Sequence, residues 1–178
     1  MLQITVPDKM FFDDDRQEFI TYKGAVLQME HSLVSVSKWE AKWHKPFLSK
    51  KPKTPEEARD YYRCMTLTQH VNPEVYLCID DRIAAKIEDY INDPMTATTF
   101  SDDDKSVNNT IITSEVIYYW LTAYNIPFEC QKWHLNRLLT LIHVCGKKSN
   151  PKKMSNAEHL KRNAAINARN RKRFGSRG

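Results

Sequence analysis

Residues 113–146 read TSEVIYYWLTAYNIPFECQKWHLNRLLTLIHVCG, two apolar helices bent around Asn125-Ile126-Pro127. In the first, Val116, Ile117, Trp120, Leu121 and Tyr124 follow the i, i+1, i+4, i+5, i+8 spacing of one broad helical face, while Tyr118 and Tyr119 point elsewhere. In the second, Leu135, Leu138, Leu139, Ile142 and Cys145 form another stripe, with Trp133 and Leu141 beside it. A hairpin apolar nearly all round must be buried, inside its own domain or against another polypeptide. Most of it reads as domain core. The functional alternative leaves part of the face, through Tyr118, Tyr119, Trp120, Trp133 and Leu138, open to a partner.

Upstream of this hairpin the pattern changes from strand to helix. Leu2-Gln3-Ile4-Thr5-Val6 alternates apolar and polar, Glu18–Tyr22 and Ala25–Glu30 resume a strand pattern, and Asp13-Asp14-Asp15 is a turn. These segments predict a small antiparallel meander of two or three strands, too marginal to stand without helices packed on it. Ser32 caps a helix to about Trp43, with Leu33, Val36, Trp39, Glu40 and Trp43 near one face and Pro46 beyond its end. Phe47–Lys53 is a basic loop. Thr54-Pro55-Glu56-Glu57 starts the next helix with a cap, a proline at the first position and a glutamate at the third. A short segment begins at Asn72-Pro73, and a helix from Asp80-Asp81 runs through Ile91 to a stop at Pro94. Threonine-rich Met95–Phe100 and Thr110-Ile111-Ile112 are expected to pair as strands around an exposed loop, 101–109. Thr113 caps the first helix of the hairpin, and Gly146 suits a left-handed end for the second.

The chain has 178 residues, room for one domain with a real core plus an appendage. Its net charge of +5 hides a division: residues 147–178 hold eleven basic side chains against Glu158 alone, a net of +10, and residues 1–146 carry net −5. The eleven are Lys147, Lys148, Lys152, Lys153, Lys161, Arg162, Arg169, Arg171, Lys172, Arg173 and Arg177. Such a tail attracts a polyanion or an acidic partner, or simply solvates the protein. Ser155 with Glu158 forms a capping-box pattern before Ala157–Phe174, a segment helical when bound and frayed when free. The expected organisation is a globular domain over 1–146 and a basic extension over 147–178. The fold class is α+β and mostly helical: N-terminal meander, four to six helices and a basic C-terminal extension.

Several function classes fall away. Only four glycines occur, with no GxGxxG or GxxxxGK[ST], so a phosphate-cradling loop is not expected. No apolar run is long enough to span a bilayer, and no secretory leader pattern is seen. Cys64, Cys78, Cys130 and Cys145 lie in apolar surroundings at irregular spacing and read as free thiols of a reducing cytosol. Cys130 and His134, with His143 and Cys145, lack the usual zinc spacing. His134-Leu135-Asn136-Arg137 lacks the metal constellation of a His–Asn nuclease, and the aspartate triplets at 13–15 and 102–104 read as solvated turns. No catalytic residue, metal ligand or cofactor is expected. The aromatic helix lacks basic residues and the basic tail holds only Phe174, a separation that favours a protein partner over base stacking.

Three blocks, MLQITVP, LQMEHSLVSVSKWEAKW and ITSEVIYYWLTAYNIPFECQKWHLNRLLTLIHVC, resemble a family of small proteins from the tail-gene region of long-tailed bacteriophages, the tail assembly chaperones. The likeness covers most of residues 1–160. It implies a protein of the host cytoplasm that coats the helical tape measure protein until tail-tube subunits displace it, often made in two forms by a programmed frameshift. Tyr118, Tyr119, Trp120, Trp133 and Leu138 would dock an amphipathic helix, and the basic tail would add attraction or touch tail-tube subunits. Homo-oligomerisation is compatible with that role. Two alternatives remain: a nucleic-acid-binding accessory protein acting through the tail, and a structural virion component such as a connector or minor tail protein.

Overall fold

The structure, a computed structural model, describes residues 1–100, 111–149 and 156–175. It is α+β and mostly helical, and divides into two compact units, Met1–His143 and Val144–Gly178. The N-terminal strands are β1 (Leu2–Val6), β2 (Lys9–Asp13), β3 (Glu18–Tyr22) and β4 (Ala25–Met29). β1 pairs with β4 and β2 with β3, both antiparallel. The residue numbers of cross-strand partners add to the same total in both ladders. One register therefore runs through a single long hairpin, and the expected N-terminal antiparallel strands form two nested ladders. The expected turn shrinks to the tip, because Lys9–Asp13 is also a strand.

The ladder breaks where Pro7-Asp8 faces Lys23-Gly24. Proline brings no N–H to a ladder, and the Asp8 carboxylate takes over: Oδ1 accepts the Gly24 N–H at 2.8 Å and Oδ2 accepts Lys23 Nζ at 3.0 Å. Gly24 is required by close approach, since a Cβ there would stand 2.0 Å from the Val6 carbonyl oxygen. Below the break the pleat works as the alternation predicts, with Ile4, Val6, Leu27 and Met29 buried.

Helix α1 (Leu33–Trp43) starts at Ser32, whose Oγ accepts the Ser35 N–H while Ser35 Oγ accepts the Ser32 N–H. It ends on His44 in the left-handed region. Helix α2 (Pro55–Met65) has the expected Thr54–Glu57 capping box. The two are joined by the Trp39 indole N–H on the Glu57 carbonyl, 2.9 Å, and by Lys42 and the Trp43 indole on the Asp60 carboxylate. After α2 the chain runs beside β4: Met65 O accepts the Glu30 N–H and Gln28 O accepts the Leu67 N–H. A 3-10 turn, Pro73–Leu77, leads to α3 (Asp81–Asn92), capped by Asp80 on the Ile83 N–H at 2.8 Å.

Met95–Phe100 forms no strand, contrary to expectation, and neither do Ile111 and Ile112; Thr110 and the loop 101–109 lie outside the described residues. Local bonds supply the reason. Met95 is left-handed at φ 51, its N–H is taken by Asp93 Oδ1, and Thr98 N–H is taken by Thr96 Oγ1. Side chains that satisfy the backbone within two residues compete with a ladder.

The opening hairpin is α4 (Ser114–Ala123), a left-handed Asn125, a 3-10 turn over Phe128–Lys132, and α5 (Leu135–Ser149). Gly146 lies inside α5 and does not end it. The helix runs on to Ser149 with Lys147 and Lys148 in its last turn, where positive charge complements the helix dipole. Ile117, Leu121, Leu135 and Leu138 join Leu27, Met29, Leu33, Val36, Met65 and Ile87 in a core with no exposed area. Helix α6 (Asn156–Phe174) belongs to the second unit, and its expected cap, Ser155, lies outside the described residues.

Replacing Gly24 by Ala forces the two backbones apart at the break and should lower stability by about 2–3 kcal/mol. Urea unfolding measures it, and an unchanged midpoint would show that the approach is not tight.

Candidate functional site

The helical elbow is held from outside by one buried carboxylate. Thr113 occupies the cap position of α4 but its side chain bonds no helix N–H. Glu40, on the inner face of α1, supplies the acceptor: Oε2 takes the Ser114 N–H and Oε1 takes the Phe47 N–H, each at 2.7 Å. Negative charge at a helix N-terminus is also favoured by the dipole.

The five side chains expected to greet a partner do not share one open surface. Leu138 has no exposed area and belongs to the core. Trp120 and Trp133 are half-buried, with the Arg137 guanidinium 4.3 Å above the Trp133 ring. Tyr118 is half-buried and donates to Gln131 Oε1 at 2.8 Å. Tyr119 is 68% exposed, and near its turn Phe128, which the pattern had not singled out, is 54% exposed. The elbow is thus mainly structural, with aromatic area on its outer side.

A larger apolar surface lies on the β2–β3 ribbon. Alternation puts Met10, Phe12 and Phe19 on one face and Phe11, Ile20 and Tyr22 on the other. Phe12 stacks edge-on to Phe19 at 5.1 Å, Phe11 lies 5.4 Å from Tyr22, and yet Met10, Phe12 and Phe19 are 64%, 45% and 69% exposed. The signal was the run Met10-Phe11-Phe12, which does not alternate and so did not read as a strand.

The basic loop after α1 frames a cleft of about 1250 Å³ whose lining includes Lys50, Lys51, Lys53, Leu48, Ile111 and Ile112. Lys45 pairs with Glu57, and Lys53 Nζ donates to the Phe47 carbonyl at 2.9 Å while lying 4.0 Å over the Phe47 ring. Burial pulls the Lys53 ammonium below the usual lysine range, opposed by Glu57. The Lys45 ammonium and the Thr54 N–H hold the Glu57 carboxyl below its usual range.

The titratable centre of the domain is closed to solvent. His31 and Tyr61 are each 2% exposed, and a 2.5 Å hydrogen bond joins His31 Nδ1 to the Tyr61 hydroxyl. Burial, then the neighbouring His134 and Lys53, bring His31 from its ordinary 6.5 down to about 3, and burial pushes the Tyr61 phenol up. The imidazole is therefore neutral and the phenol protonated, and the two share one hydrogen bond. His134 lies 5.1 Å from His31; its Nε2 donates to the Tyr90 carbonyl at 2.9 Å and its Nδ1 accepts the Asn136 N–H. These buried groups satisfy one another's hydrogen bonds and tie α1, α2 and the elbow together.

Of the basic tail, Lys147 and Lys148 end α5, and Lys161, Arg169, Arg171 and Arg173 are exposed on α6. Arg162 and Lys172 also belong to α6, while Lys152, Lys153 and Arg177 lie outside the described residues. Among the described residues no three His, Cys, Asp or Glu side chains group as metal ligands, and no helix is long and apolar enough to cross a membrane.

Glu40→Gln keeps the volume but sets an amide donor against a backbone N–H, and should cost about 1.5–3 kcal/mol in a urea titration. His31 titrates with a definite sign. Its folded value lies below 6.5, so the unfolded chain binds the extra proton first; stability is full above 6.5 and declines as pH falls toward 3. Between pH 7 and pH 5 the loss should be about 2 kcal/mol, and His31→Gln should flatten the curve across that window. Comparison with protein-family models, curated proteins and solved structures found no match for this chain.

Proposed function

We propose that this protein is a non-enzymatic tail assembly chaperone of a long-tailed phage, which binds the tape measure protein in the host cytoplasm and yields it to tail-tube subunits. The observation that carries the reading is the exposed aromatic ribbon: Met10, Phe12 and Phe19 present apolar area beside Thr21 on one face of two thin strands. Exposed apolar patches of this kind mark interaction sites. Tyr119 and Phe128 add a second, smaller area at the elbow. A client coated through small patches is held with modest affinity per copy and is easily released. Resemblance of the sequence to that chaperone family supplies the client.

A second reading, nucleic-acid binding, is favoured by Lys161, Arg169, Arg171 and Arg173, all exposed on one helix. Steep weakening of binding with added salt would mark it.

Co-expression with the neighbouring tape measure protein is expected to keep that protein soluble and co-purifying. Phe12→Ser with Phe19→Ser should leave the thermal midpoint near the parent value and send the client to the insoluble fraction. A client that is equally soluble without this chain, or a chain retained in purified virions, argues against the chaperone role.

A further inference from the structure

We propose that the lysine-walled cleft between the α1–α2 loop and Ile111-Ile112 docks an acidic peptide segment carrying aliphatic side chains. This inference stands apart from the tail reading, since it names the chemistry of a partner and no particular client. The cleft, at about 1250 Å³, exceeds the roughly 300–1,000 Å³ typical of small-molecule pockets, and suits a stretch of polypeptide. Its walls combine two features. Leu48 and Ile111 are 37% and 65% exposed, leaving aliphatic area to be covered. Lys50 and Lys51 stand exposed at the lining with no carboxylate partner among the described residues, while Lys45 is already paired with Glu57.

Charge complementarity calls for an anion, and the aliphatic wall selects which kind. Base stacking needs an open ring, but Trp39 is 2% exposed and Lys53 lies over both it and Phe47. Phosphate would seek the N-terminus of α2, but the Glu57 carboxylate already occupies it through the Thr54 N–H at 2.8 Å. A peptide with glutamates for the lysines and leucines for Leu48 and Ile111 meets every feature. The loop is shaped in advance: Glu40 holds the Phe47 N–H and Lys53 holds the Phe47 carbonyl.

The test is fluorescence anisotropy on the full chain with a fluorescein-labelled peptide of alternating Leu and Glu. Replacing its Glu by Gln, or introducing Lys50→Glu with Lys51→Glu in the protein, should each weaken binding roughly tenfold or more. Leu48→Ser with Ile111→Ser should also weaken it, and the lysine variant should keep the parent thermal midpoint. No measurable binding of the acidic peptide, equal binding of the Gln peptide, or full binding by the lysine variant would overturn the proposal; in the last case the basic C-terminal unit holds the anion. A labelled single-stranded DNA that outbinds the peptide and loses its affinity in the lysine variant would overturn it in favour of nucleic acid.

Discussion

Glu40 is 8% exposed and gives its two carboxylate oxygens to two backbone N–H groups, Phe47 and Ser114, that lie 7 and 74 residues along the chain. A carboxylate taken from water survives only with such donors, and donors left without it would be orphaned in their turn. The arrangement is therefore mutual. One oxygen sets the course of the basic loop, so that Phe47 packs 4.0 Å from Tyr61 and 5.2 Å from Trp39. The other sets the start of α4, and with it the elbow. Both the lysine-walled cleft and the aromatic corner depend on the same side chain.

Around this contact the segment Gln28–Ser32 acts as a spine. Its backbone is bonded on one side to Met65 and Leu67 and on the other to Leu135, through the His31 carbonyl at 2.7 Å. The His31 ring then fills the space between with a hydrogen bond to Tyr61 and an edge contact to His134. Burying polar groups is tolerable here because each has a partner. His31, Tyr61 and His134 are thus engaged with one another and sealed from solvent. Apolar area stays outward elsewhere, at Met10, Phe12 and Phe19 on the ribbon and at Tyr119 and Phe128 on the elbow.

Local signals are legible along the chain. Ser32, Thr54 and Asp80 begin helices where expected, because a cap is a side chain bonding to backbone two or three residues away. Amphipathic spacing correctly placed Leu33, Val36, Trp39 and Glu40 on one face. Features that need a distant partner are less legible. Threonine-rich Met95–Phe100 has strand propensity but satisfies its backbone locally, and Gly146 had a plausible cap position but no reason to stop a helix still gaining lysines at its end. Lys9–Asp13 became a strand despite its pattern, because the register of the outer ladder carries through Pro7 and Gly24.

The sequence by itself determined the class of fold, the helix starts, the alternation of β1 and β4, and the concentration of positive charge after residue 146, since each follows from spacing along the chain. Tertiary structure alone decided which apolar residues remain outside. Leu138 and Tyr119 belong to the same apolar hairpin, yet one is sealed and the other is open. Which of them is covered depends on what packs across the space between helices, and periodicity reports only the face a residue takes, not what lies opposite it. The same holds for Glu40, whose place on the inner face was plain while its partner 74 residues away was not.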